Sequence, residues 1–307
     1  MKNNPSGISG FYRSTNNCRH NVRIAVKLID TVDEKALRKA VDISIKRYDY
    51  FSVKFVLKDE LLHSVVPNDE PIVITNSSEP VTLLSEESNF HALAVNYFGD
   101  TVYFDMIHSI TDTTGIMELI KTTLYYYITE KYKTSLPTDN IRTAEMPVSD
   151  EERKDPYLDL PPLEEQKQEQ QETGKRSAPL SAVTWDKITD TDSSRQNVCE
   201  IEFSEAGFVD YCKKNGSTPA IMLANMFAKA TFGIREKFDA PFRIVLMKNY
   251  RTFLKKPLAH NNVTGVIALN YTDETWVYAR NAERHLPSNG GISVNQRIYA
   301  FCFTQAA

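Results

Sequence analysis

The segment that most restricts what this chain can fold into runs from His91 to Tyr132. It opens with two strand-like runs, HALAVNYF (91–98) and TVYFDMI (101–107). The only residues between them are Gly99 and Asp100, a pair suited to a two-residue hairpin turn. In the second run Val102, Phe104 and Met106 fall on one face, the period-two signature of a strand packed on one side. After the short connection His108-Ser-Ile-Thr-Asp112, a helix is expected from about Thr114 to Tyr132. Its apolar stripe is Ile116, Leu119, Ile120, Thr123, Leu124 and Tyr127. Hairpin, connection and helix together require a layered arrangement with the helix on the sheet.

The flanking chain fits that requirement. Val22, Ile24, Val26 and Leu28 alternate as a half-buried strand. A helix from Glu34 to Arg47 follows, with Thr31 and Asp33 both offering caps and Thr31–Glu34 at capping-box spacing. Runs 51–57 and 61–66 read as short strands. Strands are also expected at 198–203, 242–247 and 264–271. Helices are expected from Ser204 to Lys214 and from Ala220 to Thr231, the second apolar on most sides and therefore deeply buried. Strands in clusters with helices between them indicate an α/β or α+β layered sandwich. The domain reading is a lobe at 18–135, an acidic linker or crossover at 136–180 and a C-terminal lobe at 181–307. Within the linker, residues 145–175 hold ten acidic and four basic residues and four prolines. That composition buries little and is read as solvated chain with no binding role.

Bulk properties remove several function classes. The net charge of −4 gives no electrostatic footprint for nucleic acid. No apolar run is long enough to span a bilayer, and the N-terminus lacks the apolar core of a secretion signal. The four scattered cysteines suit a reducing cytoplasm better than a disulfide frame or zinc site. No GxSxG, GxGxxG or GxxxxGK[ST] pattern occurs, and no histidine pair has metal-ligating helical spacing.

Chemistry therefore concentrates at His108 and Asp112. A histidine at the end of a rigid strand can take a proton near neutral pH. Asp112 lies where its carboxylate can cap the following helix and hold the loop that presents His108. The N–H groups of Thr113, Thr114 and Gly115 would then point from the helix start toward a developing oxyanion. The bland alternative is a structural histidine beside a helix cap. His20, His63, His91, His260 and His285 carry less signal, His260 in polar surroundings.

The run His108-Ser-Ile-Thr-Asp112-Thr-Thr-Gly115, after an aromatic strand and before a helix, resembles the HxxxDG motif of the chloramphenicol-acetyltransferase-like superfamily. That group includes peptide-synthetase condensation domains and bacterial alcohol acetyltransferases, and the alcohol-acetyltransferase branch is the nearest match in pattern. Arg47-Tyr48-Asp49 resembles the family's RYP-like turn, residues 200–232 the opening of its second lobe, and FRIVLMKNYRTFL (242–254) a later strand and basic stretch. The resemblance implies a two-lobed acyltransferase fold with the site in a tunnel between the lobes. It implies His108 as general base, Asp112 as structural support, Thr113 and Thr114 as oxyanion donors, and Arg251 as a lobe-bridging partner of Asp112. The co-substrate would be acyl-CoA or acyl-phosphopantetheine, with no bound cofactor or metal. The acceptor would be a small-molecule alcohol, and an acyl carrier protein a candidate partner. Ile107 stands where many condensation domains have a second histidine, and Thr113 stands at the motif's glycine. Residues 276–307 do not resemble the family's C-terminal portion, so the second lobe is expected to be incomplete, leaving an edge that a homo-oligomer would cover. The alternative is a catalytically inactive remnant acting as a binding or interaction protein.

Overall fold

The structure, a computed structural model, describes residues 21–59, 62–157, 201–234 and 242–271. The chain divides into two compact units. Of the described residues, the first contains 21–59, 62–157 and 249–265, and the second 201–234, 242–248 and 266–271.

The first unit is built on a four-stranded sheet in the order β1-β6-β5-β4. Its strands are β1 (Asn21–Lys27), β4 (Ile74–Asn76), β5 (Leu93–Phe98) and β6 (Thr101–Ile107). β6 pairs antiparallel with β1 and β5, and β4 pairs parallel with β5. Gly99 supplies the positive φ of +59° that the β5–β6 turn needs and a side chain would resist.

Alternation along the strands decides the core. Val22, Ile24 and Val26 of β1, Leu93, Val95 and Tyr97 of β5, and Val102, Phe104 and Met106 of β6 share one cluster. Two helices, α1 (Glu34–Arg47) and α2 (Thr113–Tyr132), join it through Leu37, Ala40 and Val41, and through Ile116, Leu119, Ile120 and Tyr127. Each large side chain so buried contributes about 1.5–3 kcal/mol. The antiparallel pair β2 (Val53–Asp59) and β3 (Leu62–Pro67) packs elsewhere, Val53, Phe55 and Val65 meeting Ala92, Ala94 and Ile107 in a second cluster. On the strand positions between the core residues, Arg23 lies opposite Asp105. Its Nε and Nη2 donate to the two carboxylate oxygens at 2.6 and 2.7 Å, and Asn96 Nδ2 donates to the same group at 3.0 Å.

Three expectations change here. The cap of α1 is Asp33, whose Oδ1 accepts from the Ala36 amide at 3.0 Å. Thr31 lies too far before the first helical residue to reach those amides. His91 precedes β5 and is fully buried, its Nε2 2.7 Å from the Glu70 carbonyl. The acidic stretch begins inside the fold. Glu152, on the short helix α3 (Asp150–Arg153), is 1% exposed and lies 2.7 Å from Arg47 Nη2 and 3.2 Å from Arg142 Nη1. A buried acid is tolerated there because two guanidinium groups neutralise it. Residues 158–175 lie outside the described residues.

The second unit contains α4 (Glu205–Lys214), capped by Ser204 Oγ on the Gly207 amide, and α5 (Pro219–Ile234), with proline in the first turn. The strand expected at 198–203 is not one over its described part, 201–203: Ile201 and Phe203 are exposed and in no ladder. Nor is α5 deeply buried. Met222, Ala224, Ala228 and Thr231 are covered while Phe227 is 66% exposed, and among the described residues Ala228 and Phe232 pack with the sheet residues Phe242, Ile244, Leu269 and Tyr271. That sheet pairs β7 (Phe242–Asn249) with β8 (Thr264–Tyr271). Among the described residues no helix is long and apolar enough to cross a membrane.

Candidate active site

β6 ends at Ile107 and α2 begins at Thr113, so residues 108–112 form the turn that carries the candidate chemistry. His108 is half-buried. Its Nδ1 is turned toward the protein, 3.1 Å from the Thr111 carbonyl oxygen and 2.9 Å from Asn262 Nδ2.

Asp112 is the N-cap of α2, and its carboxylate is the most heavily bonded group in the site. Oδ1 accepts from the Gly115 amide at 3.0 Å and from Arg251 Nη2 at 2.8 Å. Oδ2 accepts from Arg251 Nη1 at 2.8 Å, the Val263 amide at 3.0 Å and Thr264 Oγ1 at 3.3 Å. Burial pushes the pKa of this carboxyl up. The Arg251 guanidinium and the amides of Val263 and Gly115 outweigh burial and hold it below its ordinary value. Asp112 is thus a fixed anion holding structure, not a proton carrier.

Arg251 opens the short helix α6 (Arg251–Leu254) and is 4% exposed. Besides the two-pronged contact with Asp112, its Nε donates to the Ala259 carbonyl at 2.7 Å and its Nη2 to the Asn261 carbonyl at 3.0 Å. The geometry is the planar fork that lysine cannot supply. Arg251 and Asp112 belong to the same compact unit, because residues 249–265 group with the N-terminal sheet.

Residues 259–264 form a strap against residues 108–115, with contacts from His260, Asn262, Val263 and Thr264. The His260 carbonyl accepts from Thr111 Oγ1 at 2.6 Å. Asn262 Nδ2 donates to the His108 carbonyl at 2.7 Å, and Asn262 Oδ1 accepts from the Thr264 amide at 2.9 Å. Gly115 is where this strap comes nearest: a Cβ there would collide with the His260 carbonyl oxygen and with Thr111 Oγ1. That close approach explains the glycine at 115. Thr113 takes the first helical position with no positive φ and so no strain.

The oxyanion candidates are narrowed. The Gly115 amide is consumed by Asp112 and leaves the set. Thr113 and Thr114 remain, both exposed at the first two positions of α2, with Thr114 Oγ1 3.3 Å from Asn249 Nδ2. His260, expected in polar surroundings, is buried against aromatic rings, with the charges of Glu152, Glu118, Arg142 and Arg47 acting on it. It is 3% exposed among Tyr48, Tyr50 and Phe51, with Nδ1 2.6 Å from Tyr50 Oη, and burial pushes its pKa down to about 4. Sequence reasoning also missed Thr111 and Asn262. Neither stands in a pattern; the one available signal was the Asn-Asn pair just before a strand, a turn signal without chemistry. No group of three or more metal-ligating side chains occurs among the described residues.

Neither protein-family models nor curated sequences match this chain. Solved structures do, and they define a condensation-domain, chloramphenicol-acetyltransferase-like fold. The epimerization domain from the third module of tyrocidine synthetase B aligns with a TM-score of 0.56 at 12% identity, covering 92% of this chain and 71% of that one. Polyketide synthase associated protein 5 from Mycobacterium tuberculosis aligns at 0.54 and 10% identity over 90% and 71%. VibH, a condensation enzyme of a non-ribosomal peptide synthetase, aligns at 0.53 and 12% over 89% and 68%. The chain thus has the fold of these proteins and spans about seven tenths of their length.

Proposed function

We propose that the protein is an acyltransferase in which His108 is the general base, moving an acyl group from a thioester of coenzyme A or of a phosphopantetheine arm to an alcohol hydroxyl. The observation that carries this reading is the seating of His108. Its Nδ1 faces the Thr111 carbonyl, on a turn that the buried Asp112–Arg251 pair holds rigid. With the proton on Nδ1 donated to Thr111, the lone pair stands at Nε2.

In that state Nε2 accepts the hydroxyl proton as the alcohol oxygen attacks the thioester carbonyl carbon. The carbonyl oxygen becomes an oxyanion, for which the amides of Thr113 and Thr114 are the candidate donors. Collapse breaks the carbon–sulfur bond, and the imidazolium returns its proton to the departing thiolate, giving ester and free thiol. Acetyl-CoA with a simple alcohol is the first pair to test; an acyl carrier protein is the alternative donor.

The test is thiol release from acetyl-CoA, and from an acylated carrier protein, over a panel of alcohols. His108→Ala should lower turnover by about 10²–10⁴-fold, the usual contribution of a positioned general base. An absence of turnover with every donor, together with no CoA-dependent rise in melting temperature, returns the non-catalytic binding protein instead.

A further inference from the structure

Two residues of the active turn converge on one backbone oxygen of the strap. The His260 carbonyl accepts from Thr111 Oγ1 at 2.6 Å, and it occupies the space that a Cβ on residue 115 would need. Gly115 makes room for this oxygen and the Thr111 hydroxyl holds it. A hydroxyl has one proton to give. The Asp112 carbonyl, at 3.2 Å from Oγ1, already accepts from the Ile116 amide, so the closer His260 carbonyl takes the Thr111 proton.

His260 cannot simply follow the turn. Its amide donates to the Glu152 carbonyl at 3.1 Å, and its ring Nδ1 lies 2.6 Å from Tyr50 Oη. The strap is thereby fixed from behind, and the Thr111 hydroxyl sets the gap between it and residues 108–112. Thr111 also passes that gap on to His108, because its own carbonyl oxygen lies 3.1 Å from His108 Nδ1. Thr111 is fully buried and so touches no substrate itself.

The size of the effect can be worked from the bond length. Valine keeps the shape of threonine and puts a methyl where the hydroxyl stands. A methyl carbon packs at about 3.5–4.0 Å, against the 2.6 Å of the present bond. Turn and strap must therefore part by about 1 Å, and a misplacement of that order costs about 10²-fold in rate.

We propose that Thr111 is a positioning residue for His108: its hydroxyl fixes the distance between the active turn and the strap, and its carbonyl carries that distance to the ring. This rests on the reading of His108 as the general base. Thr111 acts on the reaction only through His108.

The experiment compares the full chain as wild type, Thr111→Val and Thr111→Ser. Each is measured by thiol release and by the ring ¹H–¹³C resonances of His108, assigned against His108→Gln. Thr111→Val should lower kcat about 10²-fold, leave KM for alcohol and thioester unchanged, and move the His108 resonances. Thr111→Ser keeps the hydroxyl and should keep both the wild-type kcat and the wild-type resonances. Thr111→Ala removes the hydroxyl without setting a methyl against the carbonyl. It should fall between the two, which keeps the idea testable if the valine variant does not fold. A valine variant with wild-type kcat, or a serine variant as slow as the valine one, would overturn the positioning role. Absence of turnover in every protein, with the ring moved by valine and not by serine, sinks the acyltransferase reading alone. Slowed turnover with an unmoved ring sinks the positioning role alone.

Discussion

Replacing Asp112 with alanine should destabilise the N-terminal unit by about 3–5 kcal/mol, the cost of leaving one member of a buried ion pair without its partner. The structure says why the upper part of that range is reached. Both side chains are 5% exposed, and the carboxylate serves five donors: two from Arg251, the amides of Gly115 and Val263, and the Thr264 hydroxyl. Arg251 keeps the carbonyls of Ala259 and Asn261 and the side chain of Asn249, so its charge is cushioned but not neutralised. Against a total of about 5–15 kcal/mol for a folded domain, the loss is large. Urea unfolding gives the global figure, and hydrogen exchange over residues 101–132 and 249–265 shows where it falls. Arg251→Lys should sit between wild type and Asp112→Ala, since one ammonium replaces a two-pronged fork. The double variant Asp112→Leu/Arg251→Met should lose much less than the sum of the single changes, because no unpaired charge remains. An Asp112→Ala protein within about 1 kcal/mol of wild type, with unchanged exchange in both segments, would refute the account of this pair as the clamp of the site.

Further outcomes follow from the same geometry. Gly115→Ala should destabilise the protein and slow any His108-dependent turnover, read by melting temperature and thiol release, because the new methyl displaces the His260 carbonyl and the strap with it. Stability should fall on mild acidification. His260 is held down to about 4 against an unfolded value of about 6.5, so the unfolded chain binds the proton first and folding loses up to about 3 kcal/mol between those two pH values. Urea midpoints at successive pH values check this, and His260→Phe should flatten the slope. Asp112 acts in the same direction in a lower window: its lowered pKa stabilises the fold above about 3.8, and that part is lost only as pH falls further. Glu152→Ala should cost about 3–5 kcal/mol by urea unfolding, since it strips the carboxylate from Arg47, which is 2% exposed.

What the amino-acid order determined by itself was local. Period-two and helical patterning marked β1, α1, β5, β6 and α2. The pair Gly99-Asp100 marked the hairpin, and Asp112, Ser204 and Pro219 marked helix starts. Each of these signals acts over a few residues, within reach of a turn or a cap. The same patterning overstated α5: an all-round apolar helix says that burial is wanted, not how many faces a neighbour covers. It also misjudged Glu152 and His260, whose burial depends on partners roughly a hundred to two hundred residues away, Arg47 and Tyr50. Tertiary structure alone brought Asn262 onto His108 across 154 positions, whereas the pairing of Arg251 with Asp112 across 139 was expected from the family resemblance and from no local pattern. Such contacts leave no periodicity, because chain folding sets them and neighbouring residues do not. The turn that presents His108 is written locally; its clamp, and the Asn262 amide beside the ring, come from residues 249–264.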